Sequence, residues 1–271
     1  MGYKQNLHTH TSYCDGCDNP EEIILAGLEC GFDSIGFSGH SYMHYAPEHS
    51  MSVIGTQEYR NEINRLKEKY YNQMDIFCGL EVDMYSGIDL EGYDYLIGSV
   101  HYLLYNGEYI GFDRSQEVVK DIIDKFFGGN GLEYAKAYYK TLSQLPLYGD
   151  FDIIGHFDII TKHSDNTAFF EQSSAEYKKM VADAAEMLAG KIPFFEVNTG
   201  AIARMYRKTP YPSKYILSLL KDLGFGAVIT SDCHNKKMLD CSFYEAEKLL
   251  KSCGFKEKYV LTKNGFEPVS I

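Results

Sequence analysis

Proline is scarce in this chain, 7 residues in 271, and no segment is low in complexity. A disordered or linker-rich protein is excluded on that ground. Positive charge is short too: 26 Lys and Arg face 38 Asp and Glu, for a formal net charge of −12 with His neutral. Such a balance repels phosphate backbones at long range, and the only basic concentration is a loose cluster from Arg204 to Lys214. A nucleic-acid partner is not expected. No run approaches the roughly 18 apolar residues of a membrane span, so no membrane partner is expected either. The segment Met1–His10 is polar from its fourth residue and lacks the apolar centre of a signal peptide. Also missing are a G-x-G-x-x-G after the first apolar run and a Walker lysine motif, the hallmarks of nucleotide-binding folds. The cysteines are odd in number, at Cys14, Cys17, Cys30, Cys78, Cys233, Cys241 and Cys253, with irregular spacing. They read as reduced thiols of a cytoplasmic protein, not as a disulfide framework. Nothing in the chain specifies an oligomeric state.

What is present suits a well-filled core: 45% hydrophobic and 24% charged residues. Short apolar runs predict strands at Tyr3–Leu7, Ser34–Phe37, Ile76–Leu80, Tyr95–Val100, Asp152–Gly155, Phe194–Val197 and Ala227–Thr230, with a last β-like run at Tyr259–Thr262. Amphipathic helices are predicted between them. The clearest are Pro20–Cys30, opened by Asn19 and stopped by Gly31; Gln57–Met74; and Ser173–Leu188. Strands alternating with helices imply right-handed crossovers and a parallel sheet. Seven such units predict an α/β fold, a distorted (β/α)7 barrel akin to a TIM barrel, with residues 1–271 as one domain. Ser41–Thr56, after the second strand, is the longest insertion and is expected to act as a lid or substrate loop.

The histidines carry the functional signal. His8 and His10 follow the first predicted strand, and His40 follows the second. Glu81 ends the third, His101 the fourth and His156 the fifth, while Asp232 and His234 follow the seventh. In a parallel barrel all these ends share one rim. One histidine in an apolar run would ordinarily be a core residue. Six histidines and two carboxylates at equivalent strand ends predict a metal site there, of the kind that suits zinc, iron or manganese. His8-Thr9-His10 would direct two imidazoles to one face, Asp232-Cys233-His234 repeats that spacing, and Glu81 could bridge. Cys14-Asp15-Gly16-Cys17 is a single C-x-x-C without a second pair, so bystander thiols are expected, with Asp15 the better ligand or proton carrier.

These residues form a known set. Leu7-His8-Thr9-His10-Thr11 with Asp15-Gly16, Gly31–Phe37 with His40, Gly79-Leu80-Glu81-Val82-Asp83, Gly98-Ser99-Val100-His101, Gly155-His156-Phe157-Asp158, Glu196-Val197-Asn198-Thr199 and Ser231-Asp232-Cys233-His234 resemble, in order, the motifs of the PHP (polymerase and histidinol phosphatase) superfamily. The likeness spans about residues 3 to 235 and is nearest to the histidinol-phosphatase branch. It implies a barrel holding three divalent metal ions (zinc, iron or manganese). Carried over, one ion would use His8, His10, Glu81 and Asp232; a second Glu81, His101 and His156; a third Asp15, His40 and His234. Asp15 is His in some relatives. Phe37-Ser38-Gly39 precedes His40 where many have an acidic residue.

Three divalent ions against Asp15, Glu81, Asp232 and a bridging hydroxide leave a cluster near about +2, enough to hold a phosphate dianion despite the overall charge. The expected reaction is in-line attack on phosphorus by that hydroxide, with no phosphoenzyme. Asp15, Glu81 and His234 are the expected catalytic residues, with Asp15 or a metal-bound His–water pair as the source of the leaving alkoxide's proton. Arg204, Arg207 and Lys162 are candidate phosphate contacts, Asn198 a substrate- or ligand-orienting residue, and His44, with His49, a reader of an imidazole or amino group. The branch implies hydrolysis of the small molecule L-histidinol phosphate to L-histidinol and phosphate in histidine biosynthesis. The alternatives are a phosphodiesterase or exonuclease of the same superfamily, another small-molecule phosphatase, and a metal-loaded regulatory subunit without activity.

Overall fold

The predicted apolar runs do become strands, and the chain assembles them in sequence order. A computed structural model describes residues 2–271. The strands β1 (Gln5–Asn6), β2 (Ser34–Phe37), β3 (Asp75–Asp83) and β4 (Tyr95–Ser99) come first. An antiparallel hairpin, β5 (Tyr102–Tyr105) and β6 (Glu108–Gly111), then interrupts. β7 (Ile153–Ile154), β8 (Phe194–Asn198) and β9 (Gly226–Thr230) resume the sheet, and a second hairpin, β10 (Glu257–Thr262) with β11 (Gly265–Ser270), ends the chain. The seven-stranded sheet runs β1-β2-β3-β4-β7-β8-β9 with every pair parallel. It closes on itself just past its ends: Cys233 N donates to His8 O at 3.0 Å, and His10 N donates to Cys233 O at 2.8 Å. The fold is the distorted (β/α)7 barrel.

Three of the strands are shorter than predicted: Tyr3–Leu7 narrows to β1, Asp152–Gly155 to β7, and Tyr95–Val100 loses its last residue. Past the carboxyl ends of β1 and β7 the chain leaves the ladder to build the rim. Among the described residues eight helices surround the ring: α1 (Pro20–Glu29), α2 (Val53–Lys69), α3 (Gln116–Phe127), α4 (Gly131–Leu142), α5 (Ala175–Leu188), α6 (Gly200–Ala203), α7 (Lys214–Asp222) and α8 (Phe243–Ser252). None of them is long and apolar enough to cross a membrane. At α1 the reading of Asn19 is realised as a full capping box: Asn19 Oδ1 accepts from Glu22 N at 3.0 Å, and Glu22 returns a carboxylate to Asn19 N at 3.2 Å. α2 starts four residues before the predicted Gln57. Ser52 caps it, and its first two residues, Val53 and Ile54, point into solvent, so they broke the apolar period used to place its start. The insertion after β2 is correspondingly shorter, Ser41–Ser52.

Leu7, Phe77, Tyr95, Ile97, Ile153, Val228 and Leu261 form one buried cluster, separate from the larger core shared with the helices. Leu261 belongs to β10, and the Gln5 side chain clamps its backbone, donating to Leu261 O at 2.7 Å and accepting from Leu261 N at 2.8 Å. The terminal hairpin thus stoppers the end of the barrel where the strands begin, leaving the opposite rim as the accessible end. The Tyr95 side chain crosses this interior and donates to the carbonyls of Leu7 and Phe37. It fits because two neighbours have no side chain: a Cβ on Gly79 would fall 2.3 Å from the Tyr95 ring, and one on Gly36 would fall 2.4 Å from its hydroxyl. Gly79→Ala should therefore cost about 1–3 kcal/mol of stability by overpacking. The check is a urea titration in which the midpoint falls while the slope stays constant.

Candidate metal centre

Past β1 the chain stays extended, and the bridge of Thr9 to Cys233 places His8 and His10 on the same, inward side. Both are buried. Their Nε2 atoms lie 3.1 Å apart. Glu81, near the end of β3, puts Oε2 3.3 Å from His8 Nε2 and 3.5 Å from His10 Nε2. Asp232 Oδ1 completes the group at 3.6 and 3.1 Å from the same two nitrogens. Asp232 reaches them from a left-handed backbone conformation, φ 48°, which costs a non-glycine residue on the order of 1 kcal/mol and is held by the barrel-closing bonds beside it. On the other side of Glu81, Oε1 lies 3.1 Å from His156 Nε2 and 3.4 Å from His101 Nε2, and those two nitrogens are 3.0 Å apart. Asp15, His40 and His234 form the outer edge: the Asp15 carboxylate is 3.4 Å from His10 Nδ1, 3.6 Å from His40 Nε2 and 3.3 Å from His234 Nε2.

Every residue named as a metal ligand from the sequence comes to this one rim, and side-chain donors gather within 4.8 Å in overlapping groups: His10, Asp15, His40 and His234; His8, His10 and Asp232; His40, Glu81 and His101. The donor set fits divalent cations. Two nitrogens sharing a tetrahedral zinc, at about 2.0–2.1 Å each, sit about 3.3 Å apart, close to the two imidazole pairs here. Glu81 Oε2 and His40 Nδ1 approach to 2.8 Å, yet neither makes a hydrogen bond of acceptable direction, as two donors aimed at a third body would. The electrostatics ask for positive charge at the centre. Burial pushes the Glu81 carboxyl up, but the His8, His40 and His101 imidazoles outweigh it and hold the group well below the usual carboxylate range. Burial likewise pushes His8 down, and Glu196, Glu81 and Asp232 reverse that, raising it well above the ordinary histidine value. For Asp15, burial is overcome by His10 and His234, so it stands as an anion.

Glu196, to which the sequence motif assigns no role, holds the inner ring in place. It is completely buried in β8 and takes four donors: His8 Nδ1 at 2.8 Å, Thr230 Oγ1 at 2.7 Å, His156 N at 2.5 Å and Asn198 Nδ2 at 2.8 Å. A carboxylate behind an imidazole fixes the tautomer that leaves the other nitrogen free to ligate. A substrate contact by Asn198 is corrected by this arrangement. Its side chain is buried between Glu196 and Gly200 N, so it orients Glu196 instead.

The remaining candidates divide. Arg204 and Lys162 line the cleft over the imidazoles, a cavity of about 140 Å³. Arg204 is tied to the rim, donating to Asp232 Oδ2 at 2.8 Å and to Asp232 O at 3.1 Å, with His234 Nδ1 at 3.0 Å. Lys162 donates to Asp113 Oδ1 at 2.7 Å and rests over the Tyr206 ring. Arg207 does not reach the cleft. It is buried beneath it, donating to Thr161 Oγ1 at 2.5 Å and stacked on Tyr211, so its place as a phosphate contact is corrected. His44 is also displaced: it lies edge-on to Tyr45 and Tyr109 on the outer surface, whereas His49 does face a cavity. That second cavity, about 210 Å³, shares Asp15, His40, His101 and Asp113 with the first and adds Met43, His49, Tyr102, Gly111 and Arg114. Tyr102, Asp113, Arg114 and Tyr206 were missed: Tyr206 stands beside no motif, whereas the other three lie on or just past a hairpin for which the Asn106-Gly107 turn is the available signal. The C-x-x-C thiols build no metal knuckle: burial pushes the Cys14 thiol up to about 12, Cys17 is exposed, and all seven cysteines are free.

Comparison with known proteins places this geometry. A probable histidinol-phosphatase of Schizosaccharomyces pombe is 26% identical over 90% of this chain and 84% of its own length. Among solved structures, hisK from Listeria monocytogenes superposes with a TM-score of 0.76 at 24% identity, over 89% of this chain and 99% of that one. Histidinol phosphate phosphatase (HISK) from Lactococcus lactis, solved with zinc, L-histidinol and phosphate, gives a TM-score of 0.71 at 20% identity, over 97% and 98%. The sequence pattern of the PHP domain matches residues 6–200, a span that takes in the rim from His8 through Glu196; Arg204, Tyr206, Asp232 and His234 lie beyond it. The chain therefore belongs to the PHP domain family.

Proposed function

We propose that this protein is a metal-dependent phosphomonoesterase that hydrolyses L-histidinol phosphate to L-histidinol and phosphate, the step expected in histidine biosynthesis. The observation that carries the reading is the convergence of His8, His10, His40, Glu81, His101, His156, Asp232 and His234, with Asp15, on one barrel mouth. Up to three divalent ions, zinc, iron or manganese, would be held there: by His8, His10, Glu81 and Asp232; by Glu81, His101 and His156; and by Asp15, His40 and His234. Such ions, when bound, supply Lewis acidity toward phosphoryl oxygens and make water nucleophilic near neutral pH.

The chain's own groups do the rest. Lys162, at the edge of the cleft, offers an ammonium to a phosphoryl oxygen, and Asp113 holds that ammonium in place. Arg204 keeps Asp232 and His234 in position and presents a positive wall. Asp15 lines both cavities, so its anion faces the departing group, where it can orient a water that donates the proton. The adjoining cavity is sized for a small leaving group and offers Tyr102, His49 and Arg114 as polar walls. Relatives named histidinol-phosphatase, and the Lactococcus protein's bound L-histidinol and phosphate, support this choice of substrate.

A panel of phosphomonoesters, assayed with added zinc or manganese, tests the reading. L-histidinol phosphate should be turned over fastest, and a chelator should abolish the rate. Preferential cleavage of single-stranded DNA ends, or no turnover of any ester, would overturn it. Within that assay Lys162→Ala should lower kcat/KM about 10- to 100-fold, the value of one charge-assisted hydrogen bond of roughly 1.5–3 kcal/mol. Steady-state kinetics on L-histidinol phosphate give the answer.

A further inference from the structure

Tyr45 occupies a junction that the proposed hydrolysis leaves unused. It belongs to the segment after β2, whose Met43 and His49 form one wall of the side cavity. Its ring stacks on Tyr109 of β6, with centroids 4.1 Å apart at 13°, and meets Tyr102 of β5 edge-on at 4.9 Å. The hairpin that carries those two rings supplies the facing wall, through Tyr102 and Gly111. A partly exposed tyrosine could turn its hydroxyl to water. Instead the Tyr45 hydroxyl donates to Oδ1 of Asp83, a carboxylate that is 1% exposed at the end of β3.

Asp83 faces a metal-ligand candidate with its other oxygen. Oδ2 accepts from His101 N at 3.1 Å and lies 3.5 Å from His101 Nδ1. On the far side of that ring, Nε2 points to Glu81 and His156. His101 Nδ1 makes no hydrogen bond, so Asp83 holds the residue through its backbone N, and the carboxylate 3.5 Å from Nδ1 favours a proton there, with Nε2 directed into the centre. Tyr85 N also donates to Oδ1 at 3.2 Å, so the carboxylate plane is set by backbone on both oxygens and by a single side-chain donor, Tyr45.

We infer that Tyr45 is a positioning residue: through Asp83 it aligns His101 for its metal ion, and through its ring it ties the same ion to the joining of the two walls of the side cavity. The inference rests on the metal-centre reading above. Linkage makes the coupling reciprocal. If a docked loop strengthens metal binding, bound metal must hold the loop docked by the same factor.

The test uses zinc as the probe, measured by competition with a chromogenic chelator, on the full chain and on Tyr45→Phe, Asp83→Asn, the double variant and Tyr109→Leu. Tyr45→Phe keeps the stacked ring and loses the hydroxyl. It should weaken one class of bound zinc about tenfold, the lower end of what loss of a ligand-orienting partner does. Asp83→Asn should weaken it at least as much, and the double variant should be no worse than Asp83→Asn within about twofold, since the hydroxyl acts through the carboxylate. Tyr109→Leu, which loosens the stacked ring and keeps the Tyr45 hydroxyl, should by the same linkage weaken zinc a few-fold, less than Tyr45→Phe, as well as raise KM. Hydrogen exchange over residues 41–52 should slow when zinc is added to the parent and respond less in Tyr45→Phe. Unchanged zinc affinity in Tyr45→Phe, or additive effects in the double variant, would overturn the inference. A parent protein that binds no zinc would instead bring down the metal-centre reading beneath it.

Discussion

Glu81→Gln should lower kcat/KM for L-histidinol phosphate by about three orders of magnitude while the protein stays folded. The side chain keeps its size, and the Ser99 hydroxyl that donates to Glu81 Oε1 at 2.8 Å keeps an acceptor in the amide oxygen. What disappears is the anion. One carboxylate oxygen faces His8, His10 and His40, the other faces His101 and His156, so a single residue serves both inner groups of donors. An amide nitrogen cannot ligate, and the several kcal/mol of charge stabilisation lost convert to about a thousandfold at 1.36 kcal/mol per decade. The measurement pairs kinetics with metal content after gel filtration. Activity within about tenfold of the parent would show that Glu81 is not shared between ions.

The second large effect is expected one layer behind. Glu196→Ala strips the acceptor from the His8 imidazole, the Thr230 hydroxyl, the His156 amide and the Asn198 amide at once, all of them buried. Breaking a buried charged network from one side costs about 3–5 kcal/mol, which for a chain of this size lowers Tm by roughly 10 °C. Glu196→Gln is the more informative variant. Its amide must turn an NH2 toward two of those four donors, so metal affinity should fall about 10- to 100-fold even where the fold survives. Melting curves with and without chelator, alongside zinc competition, separate the two effects. A Tm within about 2 °C of the parent for the alanine variant would mean that water replaces the carboxylate and that the network is not structural.

How much of this was readable from the chain follows from where each residue sits. Histidine and carboxylate positions at strand ends are legible because a parallel barrel sends every strand's carboxyl end to one rim, so a one-dimensional map becomes a ring. The strands are apolar runs of the right length, and Asn19-Pro20 marks a helix start unambiguously. The hairpin Tyr102–Gly111 carries a mark of its own in Asn106-Gly107, both at positive φ, the signature of a two-residue hairpin turn, and the side cavity with Asp113 and Arg114 follows from it. Other features have no one-dimensional mark. Arg207 and Arg204 are three residues apart and equally basic in the sequence. The turn after α6, where Met205 takes a left-handed backbone at φ 60°, sends one to the cleft and the other beneath it. Glu196 and Asn198 look like neighbours on a strand, and only the register of β8 beside β9 shows that they grip the ligands from behind. The early start of α2 was hidden for a simpler reason: solvent-facing Val53 and Ile54 carry no amphipathic signal.

X-ray absorption at the zinc edge, on protein loaded with zinc and freed of excess by gel filtration, addresses the metal centre most directly. Retained zinc is expected, with nitrogen and oxygen neighbours only, at about 2.0–2.1 Å, and the outer-shell scattering of several imidazoles. Protein that retains no zinc, or zinc with sulfur at about 2.3 Å, would contradict that expectation, the latter by moving the metal from the histidine rim to Cys14 and Cys17.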